Sequence, residues 1–179
     1  ITDMMENINV VIRQETPADF PAVYSVNTSA FNRNEEATLV DRLRGSKSFI
    51  PQLSLVATID NKVVGYILFT RVNIIGNGHN EEGLALAPVA VFPEWQRKGI
   101  GSKLVTSGIE AAKKLEYKSV VVLGHEQYYP RFGFKPTNRW GIKPPFHVSD
   151  NLFMGLELVE NALSDVQGTV VYSKEFQLR

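Results

Sequence analysis

The amino-acid sequence predicts one α/β domain. Short runs of β-branched residues alternate with amphipathic stretches of helical period, and turn residues separate them. The 179 residues, 44% of them hydrophobic, are enough for a single core. No repeat, low-complexity tract or linker divides the chain, so we expect one domain over residues 1–179.

The first third of the chain predicts a strand followed by two helices. Residues 8–12 alternate weakly and are β-branched, which is typical of a strand. Thr16 and Pro17 suit the cap and first turn of a helix, and apolar residues then recur at helical spacing up to Phe31. A second, shorter helix is predicted over residues 34–43.

The middle of the chain predicts a hairpin, a loop and a further strand. Two β-rich runs, residues 53–59 and 63–72, are separated by the turn residues 60–62. Three glycines and two asparagines in residues 75–83 predict a loop. Residues 84–92 are apolar throughout, which predicts a strand in the interior of a sheet.

The last elements follow in the order helix, strand, helical turn and two strands. We expect a helix over residues 99–115, a strand over 119–123, one or two helical turns over 126–132, and strands over 153–159 and 169–172. The glycines at the start of the predicted helix suit a first turn better than a helix interior.

The composition excludes several classes of site and partner. The chain has no cysteine, which excludes disulfides, a thiolate nucleophile, cysteine-bound zinc and iron–sulfur clusters. The formal net charge is zero, which argues against a protein whose main work is to grip nucleic acid. No run approaches the roughly 20 apolar residues of a membrane helix, and no secretory leader is visible. We therefore expect a cytoplasmic protein with no nucleic-acid or membrane partner, and no histidine spacing predicts a metal site.

The most informative segment is the turn that opens the predicted helix at Gly99. It reads Gln96-x-x-Gly99-x-Gly101, with Arg97 and Lys98 inside it. A helix N-terminus presents unpaired N–H groups and partial positive charge, and glycine lets a ligand approach the backbone. The pattern predicts a pyrophosphate site; the alternative is that the glycines only build a tight turn between strand and helix.

Two better-known phosphate loops do not match this turn. A dinucleotide-binding loop needs a third glycine or alanine where Leu104 stands. A P-loop needs Gly-Lys followed by serine or threonine, whereas the chain reads Gly101-Ser102-Lys103. A phosphate-bearing ligand of another kind is therefore expected.

Pro88 interrupts the apolar strand that precedes this turn. A proline removes a hydrogen-bond donor from the sheet and usually marks an edge or a bulge. An interrupted interior strand can part from its neighbour and leave backbone groups near Val89 and Val91 without a partner. An extended ligand with amide groups would pair with them, and such a ligand joined to a pyrophosphate is coenzyme A.

These residues resemble the acyl-CoA-binding motif of the GNAT superfamily of N-acetyltransferases, whose pattern is Arg/Gln-x-x-Gly-x-Gly/Ala. A second match follows at Tyr128-Tyr129-Pro-Arg-Phe-Gly-Phe134, which is similar to the family's Tyr-x-x-x-Gly-Phe motif with Tyr129 in the tyrosine position. The resemblance covers nearly the whole chain. It implies the GNAT fold: a mixed, mostly antiparallel central sheet of about seven strands flanked by four helices, with a splay between the fourth and fifth strands.

The resemblance also implies acetyl-CoA as co-substrate, with direct transfer of its acetyl group and no covalent enzyme intermediate. The absence of cysteine agrees with direct transfer. The cofactor-binding residues that it implies are Val89, Ala90, Val91, Gln96, Arg97, Lys98, Gly99, Ile100, Gly101 and Ser102.

Two side chains are candidates for the chemistry of the transfer. Tyr129 is the candidate general acid for the departing thiolate, the alternative being an aromatic ring that only packs. Glu36 is a candidate general base or acceptor-site residue, the alternative being a solvated helix face. Other candidate bases are Glu35, Glu81, Glu82 and His125. Tyr128 is expected to be core or pocket wall.

The acceptor is the least specified partner. An N-acetyltransferase acting on a small-molecule amine is the leading hypothesis. Residues 140–147 are expected to border the acceptor site, the alternative being a packed surface loop. Residues 1–60 carry 5 basic and 8 acidic side chains, which is compatible with a cationic acceptor. The alternatives are acetylation of a protein N-terminus or lysine, and a catalytically silent acyl-CoA sensor. The oligomeric state is expected to be a monomer or a homodimer.

Overall fold

The computed structural model describes residues 8–177 of the chain. Within them lie three α-helices and nine β-strands, joined by loops and 3₁₀ turns. The helices are α1 (Phe20–Phe31), α2 (Glu35–Arg44) and α3 (Ile100–Lys114). The strands are β1 (Val11–Gln14), β2 (Ser54–Ile59), β3 (Lys62–Gly76), β4 (His79–Val91), β5 (Ser119–Leu123), β6 (Lys135–Pro136), β7 (Ile142–Lys143), β8 (Phe153–Glu157) and β9 (Gly168–Val171). The predicted domain limits of 1 and 179 lie outside the described residues.

All nine strands belong to one sheet, which confirms the predicted mixed α/β fold. The order along the sheet is β1-β2-β3-β4-β5-β8-β6, and β9 pairs with β3 and β7 at one end. Every pairing is antiparallel except β4 with β5 and β7 with β9. Because α3 lies between β4 and β5 in the chain, it forms the crossover that a parallel pair requires.

The helices cover the two faces of this sheet. Side chains of α3 pack with alternate residues of β2, β3, β4 and β5 in one buried cluster, among them Leu104, Ile67 and Leu86. On the opposite face, α1 and α2 pack on Tyr66 and Leu68 of β3. The same face is covered farther along β3 by the C-terminal segments around β7, β8 and β9. We call the side of the sheet that α3 covers the α3 face, and the opposite side the α1/α2 face.

The predicted loop over residues 75–83 is wrong. β3 and β4 form one long hairpin that stays paired up to Gly76 and His79, so most of this segment is strand. Glycine and asparagine disfavour strands locally, but pairing partners override that preference. Here β9 pairs with β3 at Asn73, Ile74 and Ile75 and extends the sheet on that side.

The count of four helices is also wrong within the described residues. The predicted turn over residues 126–132 is a single 3₁₀ turn, Tyr129–Phe132, which ends at Gly133 with a φ of 98°. Pro130 lacks a backbone donor, and a left-handed residue stops a helix. The other predicted elements are present, most of them with shifted ends. The first strand moves from residues 8–12 to Val11–Gln14, and the strand predicted over 84–92 begins five residues earlier, at His79.

The predicted splay between β4 and β5 is confirmed. Although β4 continues to Val91, it pairs with β5 only at Leu84 and Ala85. The register between β3 and β4 shifts at the same level, opposite Leu68, where β4 has the extra residue that Pro88 was predicted to mark. The two parallel strands therefore separate toward their carboxyl ends.

Candidate active site

The N-terminus of α3 opens onto a cavity beside the splay. Gly99 precedes the helix in the left-handed region with a φ of 83°, and its carbonyl accepts the backbone N–H of Lys103 at 3.1 Å. The backbone N–H groups of the first turn lack partners within the helix and point outward. The cavity measures about 420 Å³ and is lined by Val91, Trp95, Gln96, Arg97, Gly99, Ile100, Gly101, Ser102, Tyr128 and Arg131.

Gly101 lies in the wall of this cavity. A Cβ there would lie 3.5 Å from the hydroxyl oxygen of Tyr128 and 4.0 Å from a methyl group of Val91. The same Tyr128 hydroxyl lies 3.2 Å from the Oγ of Ser102, in the first turn of α3. The space above the helix end therefore has backbone donors below it and a phenol at its side, which suits a phosphate group.

The open edge of β4 forms the second part of the site. The backbone N–H of Phe92 donates to the carbonyl of Val64 at 2.9 Å, so Phe92 and, by strand alternation, Ala90 direct their polar groups toward β3. Val89 and Val91 direct theirs toward the splay. The Nε2 of Gln96 donates to the carbonyl of Val91 at 2.9 Å and ties the turn to this edge. An extended ligand with amides finds complementary backbone groups here.

Two arginines supply positive charge at the cavity. Arg97 lies in the turn, with a φ of 64°, and Arg131 lies across from it after Tyr128. The Nε of Arg131 donates to the backbone carbonyl of Tyr128 at 3.1 Å, and its guanidinium carbon lies 4.6 Å from the centre of that ring. These contacts hold the guanidinium at the rim of the cavity.

The position of Trp95 beside the first motif predicts packing or a contact at the cofactor's rim, and its side chain lines the cavity. Sequence reasoning missed the contribution of Arg131, which stands inside the second motif, so the signal for it was its position rather than its residue type. The sequence predicts that Tyr128 belongs to the core or to a pocket wall, and in the structure it lines the cavity.

Tyr129 lies on the other side of the splay, against the end of β5. Its side chain is buried, and its ring packs on Gly124 and at 5.6 Å from the ring of Phe134. Burial, with a smaller effect of Tyr128, raises the pKa of Tyr129 to about 12. The phenol is therefore protonated at neutral pH and available as a proton donor.

Glu36 is held in an ion pair at the start of α2. The Nε of Arg33 donates to both carboxylate oxygens of Glu36, at 2.8 and 3.1 Å. This hydrogen bonding lowers the pKa of Glu36 despite its partial burial. A base with a lowered pKa and occupied oxygens is a weak proton acceptor, so the pairing favours a positioning role over general-base catalysis.

The structure brings together most but not all of the predicted cofactor residues. The predicted residues that line the cavity are Val91, Gln96, Arg97, Gly99, Ile100, Gly101 and Ser102. Lys98 is exposed outside the lining, and the side chain of Ala90 is buried on the α1/α2 face. Val89 can contribute only its backbone N–H and carbonyl groups to the site, because its side chain packs on the α3 face.

The remaining candidate bases lie apart from one another. His125 is exposed just after β5, beside the splay. Glu81 and Glu82 lie near the start of β4, seven or more residues from Val89, which is about 20 Å of extended chain. No group of three or more histidine, aspartate or glutamate side chains suited to a metal ion occurs among residues 8–177. Nor does any helix in that part of the chain have the length and apolar character needed to cross a membrane.

Comparison with known proteins identifies the family of this chain. A sequence model of the Acetyltransferase (GNAT) family matches residues 20–134. The N-acetyltransferase YjhQ of Escherichia coli K12 is 43% identical over 134 residues, which is 74% of each chain. The N-acetyltransferase YhbS of the same strain is 32% identical over 168 residues, covering 93% of this chain and 98% of YhbS.

Solved structures give the same result. The crystal structure of YhbS from E. coli in complex with CoA superposes with a TM-score of 0.88 at 30% identity, covering 96% of this chain and 93% of that one. A GNAT acetyltransferase from Brucella melitensis in complex with acetyl-CoA gives a TM-score of 0.77 at 31% identity, covering 95% and 99%.

The family match spans more than half of the chain, and the chain therefore belongs to the GNAT family of acetyltransferases. It is an N-acetyltransferase that uses acetyl-CoA as the acetyl donor.

Proposed function

We propose that this enzyme transfers the acetyl group of acetyl-CoA directly to the primary amine of a small molecule. The observation that carries the proposal is the splay between β4 and β5, which opens beside the cavity at the N-terminus of α3. The open edge and the anion-binding turn stand next to each other, as the pantetheine and pyrophosphate of one CoA molecule require.

In the proposed complex the pyrophosphate contacts the first turn of α3 between Arg97 and Arg131. The pantetheine amides pair with the backbone of Val89 and Val91, which directs the thioester into the splay. A backbone N–H on this edge is the proposed donor to the carbonyl oxygen when it becomes negative in the tetrahedral intermediate.

The transfer needs three changes that balance. The lone pair of the neutral amine forms a bond to the thioester carbonyl carbon, the intermediate collapses with cleavage of the carbon–sulfur bond, and the nitrogen loses a proton. Tyr129 is the proposed donor of a proton to the departing sulfur, which leaves as the CoA thiol, and the phenolate then takes up a proton from solvent in place of the one that the nitrogen released. Its raised pKa does not by itself oppose this step, because the same burial also disfavours the thiolate.

Glu36 is proposed as an acceptor-site residue rather than the base. Its carboxylate is paired with Arg33 and stays negative well below neutral pH. Arg33 pairs with both Glu35 and Glu36, so this cluster at the junction of α1 and α2 keeps one net negative charge and is proposed to attract a cationic acceptor toward its site. The proton released by the amine passes to solvent. We further propose that the enzyme acts in the cytoplasm and that it is a monomer or a homodimer. Size-exclusion chromatography with light scattering measures the oligomeric state.

The test combines a binding and a turnover measurement. CoA is titrated calorimetrically into the protein, and thiol release from acetyl-CoA is followed with a panel of small amines. We expect saturable CoA binding and amine-dependent thiol release. Absence of CoA binding at millimolar concentration contradicts the proposal. CoA binding without thiol release on any amine or peptide indicates an acyl-CoA sensor, and release only with peptides indicates a protein acceptor.

A further inference from the structure

A second, larger cavity lies on the α1/α2 face of the sheet. It measures about 740 Å³, within the range of pockets that enclose a small ligand. The segment between β6 and β8 builds it, including the predicted acceptor-bordering residues up to His147. Its apolar lining consists of Ile142, Pro144, Pro145, Phe146, Val148 and Phe153.

The strand register places one wall of this cavity at the end of β5, next to the splay. Phe153, in its wall, pairs with Leu123, the last residue of β5, and directly opposed residues point to the same face. Phe153 and Ile142 belong to the buried cluster of the α1/α2 face, together with Ala85 and Val121. Leu123 is apolar yet 48% exposed, so this end of β5 is not covered by other parts of the described chain.

The CoA cavity lies on the opposite face. Ile100 and Val91, in its wall, pack in or against the buried cluster of the α3 face. In a direct transfer, the amine and the thioester must meet at one point. A donor bound on one face and an acceptor bound on the other meet where β4 and β5 separate, because the sheet is closed by pairing elsewhere along these strands.

We infer that the cavity on the α1/α2 face binds the acceptor, and that the acceptor is a primary monoamine with an aromatic or branched aliphatic body. The inference rests on the proposed function and specifies its substrate class. The apolar wall, with Phe146 and Phe153 at 5.8 Å in an edge-to-face arrangement, suits an apolar body. The polar side chains of the lining are Thr137, Asn138, Lys143, His147 and Asp150, and Asp150 is the one carboxylate among them. A ligand with several ammonium groups would therefore lose hydration there with a single negative partner.

The charged side chains of the cavity agree with a single positive charge. Asp150 lines it, is exposed to solvent, and accepts one long hydrogen bond, 3.4 Å, from Asn138. Its carboxylate is therefore available to an ammonium group, whose proton passes to solvent before attack. Lys143 and His147 also line the cavity, and the positive charge of Lys143 opposes a second ammonium on the ligand.

The test measures acceptor binding apart from turnover. The protein is saturated with CoA, and phenethylamine, isoamylamine, spermidine and a lysine-containing peptide are each titrated calorimetrically. The variants are Asp150→Asn, which removes the charge at an exposed position, and Phe146→Ala, which removes part of the apolar wall. Glu160→Gln is the matched control, since this exposed carboxylate lies outside the cavity.

We expect the two apolar monoamines to bind and the other two ligands to bind at least about tenfold more weakly. Asp150→Asn and Phe146→Ala should each weaken phenethylamine binding by about tenfold, with no change for Glu160→Gln. Equal affinity in all variants, or preferential binding of spermidine or the peptide, overturns the inference while CoA binding is intact. Failure to bind CoA itself removes the proposed function, and this inference with it.

Discussion

The ring of Tyr129 lies against the backbone of Gly124, and a Cβ at position 124 would overlap that ring. Gly124 follows β5 directly, and its N–H donates to the carbonyl of Leu152 at 2.9 Å. The glycine therefore fixes how closely the proposed proton donor approaches the splay. Only a residue without a side chain leaves this space to the tyrosine.

Replacing Gly124 with alanine should displace Tyr129 and impair the reaction. The methyl group and the ring compete for the same volume in a well-packed region, so we expect kcat to fall about tenfold or more and the protein to lose about 1–3 kcal/mol of stability. Steady-state kinetics and urea unfolding measure the two effects. Gly45→Ala is the control, because a Cβ there lies 3.8 Å from its nearest neighbour at a φ of −91°. An unchanged kcat in Gly124→Ala would show that the position of the ring is unimportant.

Removing the Tyr129 hydroxyl should affect the chemical step and not CoA binding. We expect Tyr129→Phe to lower kcat by about 10²-fold, the lower range for general acid catalysis, with the Kd for CoA unchanged. Because the pKa of Tyr129 is raised to about 12, wild-type kcat should show no decline from its ionisation below about pH 10. Stopped-assay kinetics across this pH range, with calorimetric CoA binding, provide the measurements.

Tyr128→Phe serves as the matched comparison for Tyr129→Phe. It removes the hydroxyl that lies 3.2 Å from Ser102 and keeps the ring against Arg131. The expected result is a rise of a few-fold in the KM for acetyl-CoA with kcat retained, since one hydrogen bond at the phosphate cavity is lost. The reverse pattern, with kcat lost only in Tyr128→Phe, would transfer the acid role to Tyr128.

Arg131 should contribute to acetyl-CoA binding more than Lys98 does. Arg131 lines the cavity at the N-terminus of α3, whereas Lys98 is exposed outside it. We expect Arg131→Gln to raise the KM for acetyl-CoA by about tenfold and to weaken the salt dependence of KM, and Lys98→Gln to change both little. Kinetics between low and physiological ionic strength test this, and equal effects of the two variants would contradict the assigned geometry.

A buried polar network joins Glu15, the residue after β1, to β2, β3 and α2, and its loss should destabilise the fold. The hydroxyl of Ser54 lies 2.7 Å from that of Tyr66 and donates to the carboxylate of Glu15 at 2.6 Å. Arg44 also donates to this carboxylate, at 2.9 Å. We expect Ser54→Ala to lower the free energy of unfolding by about 1–3 kcal/mol, because it leaves buried polar atoms without partners. The double variant with Tyr66→Phe should lose less than the sum of the two single losses.

The ion pair between Arg13 and Asp19 should make stability depend on pH at acidic values. Hydrogen bonds from Arg13, at 2.7 and 2.9 Å, lower the pKa of Asp19 from 3.8 to about 2. A lowered folded-state pKa stabilises the protein above the unfolded pKa, and the gain is lost as the pH falls from about 4 to about 2. The difference in free energy of unfolding between wild type and Asp19→Asn should be about 1 kcal/mol at pH 6 and shrink toward zero near pH 2. A constant difference would mean that the carboxylate charge is not responsible.

Much of the fold could be predicted because the relevant signals are local. The segment from Gln96 to Ser102 predicted a helix start with an anion site, and the backbone conformation at Gly99 meets that requirement. Pro88 predicted an interruption of β4, and the register shift lies there. The hairpin over residues 75–83 could not be predicted, since its strands depend on pairing with each other and with β9.

The sequence by itself determined the chemistry that is available: no thiol, a glycine-rich helix start, and two tyrosines followed by Gly133 and Phe134. The tertiary structure decided which of these groups face one another. It placed the Tyr128 hydroxyl at the helix end and Tyr129 against Gly124, although the two are neighbours in the chain. It also paired Glu36 with Arg33 and set the two cavities on opposite faces of the sheet. Residue type sets what a side chain can do, but direction and distance arise from strand pairing and packing, which a local pattern does not contain.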